Sequence, residues 1–268
     1  MSRLRILGTE FDRVAMPDAI EWTSRQLAEG RRQWICTVNA AILMMLRDDP
    51  DLREFVEGAG MTVADGQPLI WYSRLGSASL PERVTGVDLV EELCALAARE
   101  GRSVYLMGAK GETVDEVRRR LEERHEGLNI AGHDDGYFGV DEFEARADAI
   151  RLSGAEILIV AMGVPRQENF LREQWERLGV TIAIPVGGSF EVIAGQKKRA
   201  PVWVQRTGFE WLYRLLQEPG RLWRRYLVTN TQFLFGLVKE AARGQAGGVP
   251  VEAAMPDREP ASAELLKK

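Results

Sequence analysis

The sequence predicts an α/β fold: a Rossmann-like, mostly parallel sheet flanked by helices, with a C-terminal helical appendage. Three observations point there. Short β-branched and aromatic runs alternate with stretches of helical periodicity through residues 1–195, the pattern of repeated βαβ units. Glu156-Ile157-Leu158-Ile159-Val160-Ala161 is a continuous apolar run, as expected of a parallel strand covered on both faces. At Gln196 the composition turns basic and aromatic.

Taken in order, Arg3 to Glu10 predicts a first strand or hairpin arm. Pro17 to Ala28 carries Ala19, Ile20, Trp22 and Leu27 at helical spacing. Gln33 to Val38 is a buried strand that ends at Thr37-Val38-Asn39, and a helix follows from Ala40 to Arg47. Pro50 to Gly58 is a short helix. Met61 to Ala64 ends a strand, and Asp65-Gly66-Gln67-Pro68 then opens a helix. Leu80 to Gly86 is a loop carrying Arg83, ahead of an amphipathic helix from Val87 to Arg99. Ser103 to Met107 is a strand; Gly108-Ala109-Lys110-Gly111-Glu112 turns into a charged helix reaching about Glu126. Leu128 to Ala131 predicts a strand, His133 to Gly139 a loop with Tyr137, and Asp141 to Ser153 a helix. After the Glu156–Ala161 strand, the turn Met162 to Asn169 carries Gln167. Thr181 to Val186 is the last strong strand, followed by Gly187-Gly188. Residues 196–243 form two helices, Val202 to Gln217 and Arg221 to about Glu240, broken at Glu218-Pro219-Gly220 because proline cannot continue a helix. Residues 244–268 predict a disordered tail.

Composition narrows the function. With 45% hydrophobic and 28% charged residues the 268-residue chain is globular in character. No apolar run approaches the ~20 residues that span a bilayer, and the start lacks an apolar leader segment, so neither an anchor nor a secretory leader is expected. Cys36 and Cys94 lie in apolar elements, which suggests a reducing compartment without disulfides. With His125 and His133 as the two histidines and no CxxC pair, a zinc site is not expected. The net charge of −5 hides an asymmetry: residues 196–243 hold ten basic and three acidic residues, net +7, so the remainder is −12. Such a segment suits an anionic partner. It reads either as a solvated arginine face or as a platform for lipid phosphates and a membrane surface. Nucleic acid is disfavoured by the acidic body.

In open α/β sheets ligands bind outside the carboxyl ends of the strands. Thr37, Asn39, Asp65 and Gln167 lie at such ends, with Arg83 nearby. Asn39 and Asp65 either cap their helices or face a ligand. An acid there can take a proton from an attacking hydroxyl, and arginines can stabilise a departing diphosphate. The glycines at 108–111 suit a phosphate but match neither GxGxxG nor a P-loop. Asp49-Pro50-Asp51 spells a DxD, yet it joins two helices and reads as a turn and cap, so no metal is expected. The rival classes are a non-catalytic nucleotide-sugar or anionic-lipid binding module and a Rossmann oxidoreductase.

Thr37-Val38-Asn39, Val63-Ala64-Asp65-Gly66, Arg83 to Asp88, Gly163 to Glu168, Lys198-Arg199-Ala200-Pro201, Glu210 to Leu215, Glu218-Pro219 and Arg224-Arg225-Tyr226 occur in order. In these the chain resembles the WecG/TagA/CpsF family of bacterial glycosyltransferases over about residues 4 to 240, with its TagA-type wall teichoic acid enzymes as the nearest branch. The resemblance implies inverting transfer of a sugar from a UDP-sugar to a polyprenyl-diphosphate-linked acceptor, at the cytoplasmic face of the cell membrane and without a metal or other cofactor. N-acetylmannosamine is the sugar of the TagA branch; other branches use N-acetylmannosaminuronate or glucose. It makes Asp65 the general base and places Arg83, Thr37, Asn39 and Gln167 in the active site. Arg214, Arg221 and Arg224 match an appendage that closes over the site and binds the lipid diphosphate. Lys198, Arg199 and Arg225 extend this expected basic surface, and Gly66, Gly108, Tyr137 and Gly187 complete the expected substrate contacts. Ala161 to Pro165 departs from the family pattern, where more glycine and often serine before proline are expected. A homo-oligomer masking the site until membrane binding is a further expectation.

Overall fold

A computed structural model describes residues 2–201, 204, 207, 210–217 and 219–251. The chain opens with a hairpin of β1 (Arg3–Ile6) and β2 (Thr9–Asp12), then α1 (Met16–Glu29), β3 (Gln33–Val38), α2 (Ala40–Asp48), α3 (Pro50–Glu57), β4 (Met61–Ala64) and α4 (Gln67–Ser73). It continues through α5 (Gly86–Glu100), β5 (Ser103–Gly108), α6 (Gly111–Arg124), β6 (Asn129–Asp134), a short 3-10 turn at Val140–Glu142, α7 (Phe143–Ser153), β7 (Ile157–Ala161), α8 (Arg166–Leu178), β8 (Ile182–Pro185) and α9 (Ser189–Ile193). Helices α10 (Glu210–Gln217) and α11 (Pro219–Ala242) and strand β9 (Val249–Val251) complete the described chain.

Six strands form one parallel sheet in the order β4-β3-β8-β7-β5-β6. Its central strands are apolar on both sides because both faces are covered. In β7, Leu158 and Val160 enter one hydrophobic layer while Ile157, Ile159 and Ala161 enter the other. In β3, Trp34, Cys36 and Val38 face the first layer and Ile35 the second. This two-residue alternation between two packed layers explains runs that look uniformly hydrophobic in sequence. Strand β3 connects outward to β4, whereas β8 is reached from β7 on its other side. The change of direction therefore falls between β3 and β8, where an open α/β sheet leaves a crevice.

The helix boundaries follow from local chemistry. Asn39 caps α2, its Oδ1 accepting from Ala41 N (3.0 Å) and Ile42 N (3.1 Å). Asp49 caps α3 through Leu52 N (2.9 Å), with Pro50 in the first turn, so the DxD is the turn and cap expected of it. Thr85 caps α5 through Asp88 N.

Two elements differ from expectation, and a third lies mostly outside the described residues. Strand β6 extends to Asp134, because pairing with β5 continues to Met107–Asp134 after a register shift at Val104/Tyr105. The helix expected from Val202 is described only from Glu210, and most of residues 202–209 lie outside the described residues. The tail expected to be disordered from 244 instead returns to the body: Val249–Val251 pairs antiparallel with β1, from Arg5–Val249 to Arg3–Val251, in a three-stranded sheet β2-β1-β9. Residues 252–268 lie outside the described residues.

The appendage expected at 196–243 is anchored to the body at its far end. Phe233 of α11 is buried in the same core layer as Trp34 and Phe170. Glu240 accepts hydrogen bonds from Leu7 N (2.9 Å) and the Tyr72 hydroxyl (2.8 Å). Burial first, and then the Glu240 carboxylate, push the Tyr72 hydroxyl up to about 12, so it stays a donor. The opposite side of α11 exposes Leu234, Phe235 and Val238. Among the described residues no helix is long and apolar enough to cross a membrane.

Candidate active site

The carboxyl ends of the strands open into a cleft of about 830 Å³. Two backbone hydrogen bonds bring the first turns together. Asp65 N donates to Val38 O (2.9 Å), seating Asp65 beside the end of β3, and Val84 N donates to Ala64 O (3.0 Å), drawing the Arg83 loop onto the same rim. Thr37, Asn39, Asp65, Gly66 and Arg83 all line the cleft, as do Tyr137, Gln167 and Gly187 from its other side. Asn39 therefore serves both readings, cap and cleft wall.

The site is rich in paired charge. Arg83 Nη1 lies 2.5 Å from Glu210 Oε2 on α10, with both side chains largely buried. Arg199 grips Asp88 of α5 with two 2.6 Å hydrogen bonds, and Thr85 Oγ1 donates to the same carboxylate (2.7 Å). Burial alone would raise the Asp88 carboxyl; the hydrogen bonds from Arg199 and Thr85, with the nearby Arg83 charge, outweigh it and hold Asp88 below the usual carboxylate range. In turn the Asp88 hydrogen bond, followed by the fields of Glu210 and Asp65, keeps Arg199 firmly protonated against its burial. Arg199 thus stands within the electrostatic reach of Asp65.

Gln167 is buried, and its amide joins three neighbours. Oε1 accepts from Gly163 N (3.2 Å) and Gly187 N (3.0 Å), joining the turns after β7 and β8, while Nε2 donates to Glu168 Oε1 (2.8 Å). An amide nitrogen carries two N–H groups, so Gln167 can fix two turns and still line the cleft. Burial, opposed by the Gln167 hydrogen bond, pushes the Glu168 carboxyl up to about 7, and its Oε2 has no hydrogen-bond partner among the described residues.

One expected contact moves. Gly108 does not line the cleft. Its φ is +139°, and a Cβ there would come 2.4 Å from Ala161 O, so the glycine is demanded by the close approach of β5 to β7. Ala109 takes the place on the cleft wall. Tyr137 is 74% exposed at the cleft edge, whereas Phe138 beside it is buried.

Of the basic residues, Lys198 and Arg199 line the cleft. Arg214 lies on α10, and Arg221, Arg224 and Arg225 lie on α11; their side chains are outside the described residues. The same two helices lend Gln217 and Asn230 to the cleft wall, and Gln217 Nε2 donates to Lys198 O (3.1 Å), so the appendage roofs the site. Sequence reasoning did not single out Glu210, Arg166, Glu191 or Asp88 as site residues, although all but Glu191 stood within the quoted motifs. Long-range pairing carries no local periodicity to betray it. Among the described residues no group of three or more His, Cys, Asp or Glu could hold a metal ion.

The arrangement offers one carboxylate at a strand end, cations around it and a helical cover. The family model described as Glycosyl transferase WecG/TagA/CpsF family matches residues 4–247, most of the chain and all of this cleft. The chain belongs to the WecG/TagA/CpsF family of glycosyl transferases.

Proposed function

We propose that the chain transfers a sugar from a UDP-sugar to a polyprenyl-diphosphate-linked N-acetylglucosamine in cell-envelope polysaccharide or teichoic acid synthesis, with inversion. The observation that carries this reading is Asp65: a carboxylate at the end of β4, in a cleft walled by Arg83, Lys198 and Arg199. In the reaction Asp65 takes the proton of the acceptor hydroxyl as that oxygen bonds to the anomeric carbon. The bond from that carbon to the diphosphate oxygen breaks, and UDP leaves with the electron pair, its charge met by cationic side chains. No metal or other cofactor takes part in this scheme, and activity that survives a chelator is its expected signature.

N-acetylmannosamine is the proposed sugar, by the likeness to the TagA branch; N-acetylmannosaminuronate and glucose are the alternatives within the family. The membrane association is likewise proposed, at the inner face of the cell membrane. Its support is the exposed Leu234, Phe235 and Val238 on α11, with the exposed Leu216 and Trp223 on the appendage and the basic residues of the same helices.

The test is an assay with an undecaprenyl-diphosphate N-acetylglucosamine analogue, following UDP release from UDP-N-acetylmannosamine, UDP-N-acetylmannosaminuronate, UDP-glucose and UDP-N-acetylglucosamine in turn. Acceptor-dependent release with one donor supports the reading and names the sugar. UDP binding without turnover from any donor points to a different acceptor or to the non-catalytic binding module.

A further inference from the structure

Three cations of the cleft stand against carboxylates: Arg83 against Glu210, Arg199 against Asp88 and Lys197 against Glu191 (3.8 Å). Arg166, the first residue of α8, also lines the cleft, yet no carboxylate among the described residues pairs with it. Its Nε is buried without a hydrogen-bond partner among the described residues. The guanidinium is nevertheless held in place. Nη2 donates to Phe138 O, and Cζ sits 5.0 Å from the centroid of the Phe138 ring. That ring is itself fixed edge-on against Phe143 and Phe170. Arg146 stacks on the same ring at the same distance, but Asp134 (2.5 Å) and Glu142 (3.2 Å) neutralise it. A half-buried guanidinium without a counter-ion is unfavourable, and the ring face compensates it only in part. What it lacks is an anion.

Part of the backbone that could meet such an anion is already engaged here. Turns between a strand and a helix usually offer phosphate their free N–H groups. In this chain Gly163 N and Gly187 N are both spent on Gln167 Oε1. With those two groups engaged, an anion at the β7 and β8 turns gains from a side chain, and Arg166, with a planar fork suited to phosphate oxygens, stands at the start of the helix after β7.

We propose that Arg166 binds a diphosphate, an inference that rests on the nucleotide-sugar reading above. Both substrates of that reading carry one, the UDP-sugar and the polyprenyl-linked acceptor. The experiment is calorimetric titration of the full chain and its Arg166→Gln variant, which keeps a donor for Phe138 O without the charge. The probes are UDP against uridine, and farnesyl diphosphate against farnesol. A loss of tenfold or more in UDP affinity, with uridine within twofold, assigns the donor diphosphate. The same loss confined to farnesyl diphosphate assigns that of the acceptor. Arg166→Lys is expected to fall between, and Arg146→Ala, on the same ring, to leave both ratios unchanged. Equal affinities of wild type and Arg166→Gln for both diphosphates overturn the proposal. Wild-type chain that binds no UDP overturns the nucleotide-sugar reading itself, a result distinct from the last.

Discussion

Arg83 and Glu210 stand 127 residues apart in the chain, and their side chains meet at 2.5 Å. The loop after β4 and the first turn of the roofing helix are thereby joined across the cleft mouth. Glu210→Gln keeps the shape and removes the charge. It is expected to loosen α10 and to misplace Arg83, lowering kcat/KM for the acceptor by about tenfold, which corresponds to ~1.4 kcal/mol. UDP affinity is expected to stay within twofold. Acceptor-dependent UDP release and UDP titration measure the two quantities; unchanged acceptor kinetics would remove Glu210 from the mechanism.

Asp65→Asn preserves volume but cannot take a proton. Turnover is expected to fall by about 10²–10⁴, the usual worth of general base catalysis, with an unaltered circular dichroism spectrum and UDP affinity. Near-normal turnover would sink the assignment of the base.

Glu168 ties stability to pH. Its folded pKa, about 7, lies above the unfolded value of 4.5, so the folded state holds the proton more tightly. Stability therefore falls as pH rises from about 4.5 to about 7 and levels off above that. At ~1.4 kcal/mol per pKa unit the cost by pH 8 is about 3 kcal/mol. Glu168→Gln is expected to raise Tm at pH 8 and to leave it unchanged near pH 4. Parallel thermal scans of the two proteins across pH check the sign; a variant that gains equally at both pH values would contradict it.

Gly108→Ala tests whether this glycine serves the fold. The added Cβ would collide with the Ala161 carbonyl at a φ that disfavours any side chain. A destabilisation of about 2 kcal/mol or more is expected in urea unfolding. UDP affinity of the folded protein should change little; a stable variant with lost UDP binding would return Gly108 to the substrate contacts.

The parallel sheet was legible in the sequence because strands buried on both faces leave long apolar runs, as in Ile157–Ala161, and helices leave a 3.6-residue period, as in Ala19, Trp22 and Leu27. The cleft was legible for the same reason: once the strands are placed, Thr37, Asn39, Asp65 and Gln167 must fall at their carboxyl ends. What sequence could not display was pairing at a distance. Nothing near Glu210 marks it as the partner of Arg83, nor anything near Asp88 as that of Arg199. Gln167 was read as a polar group of the site and does line the cleft; sequence could not show that its amide also links Gly163, Gly187 and Glu168, a role that depends on how two turns meet. Gly108 suggested a phosphate loop, but glycine also answers to the nearness of a neighbouring strand. Val249–Val251 was missed because three residues are too few to show a period, and a strand that short exists only by virtue of the edge it joins.

That edge bears on how the molecule is made. Strand β1 leaves the ribosome well before β9, which is the last strand of the described chain. Until residue 251 has emerged, β1 has only β2 beside it and its other edge is open to any extended segment that passes. The three residues after Gly248 complete the sheet only when the whole body and its roofing helices already exist, and they do so at the point where Glu240 ties α11 to Leu7. Strand β9 thus closes the hairpin edge from beyond the cover, and a polypeptide cut between Glu240 and Val249 keeps the bond of Glu240 to Leu7 but leaves that edge undone.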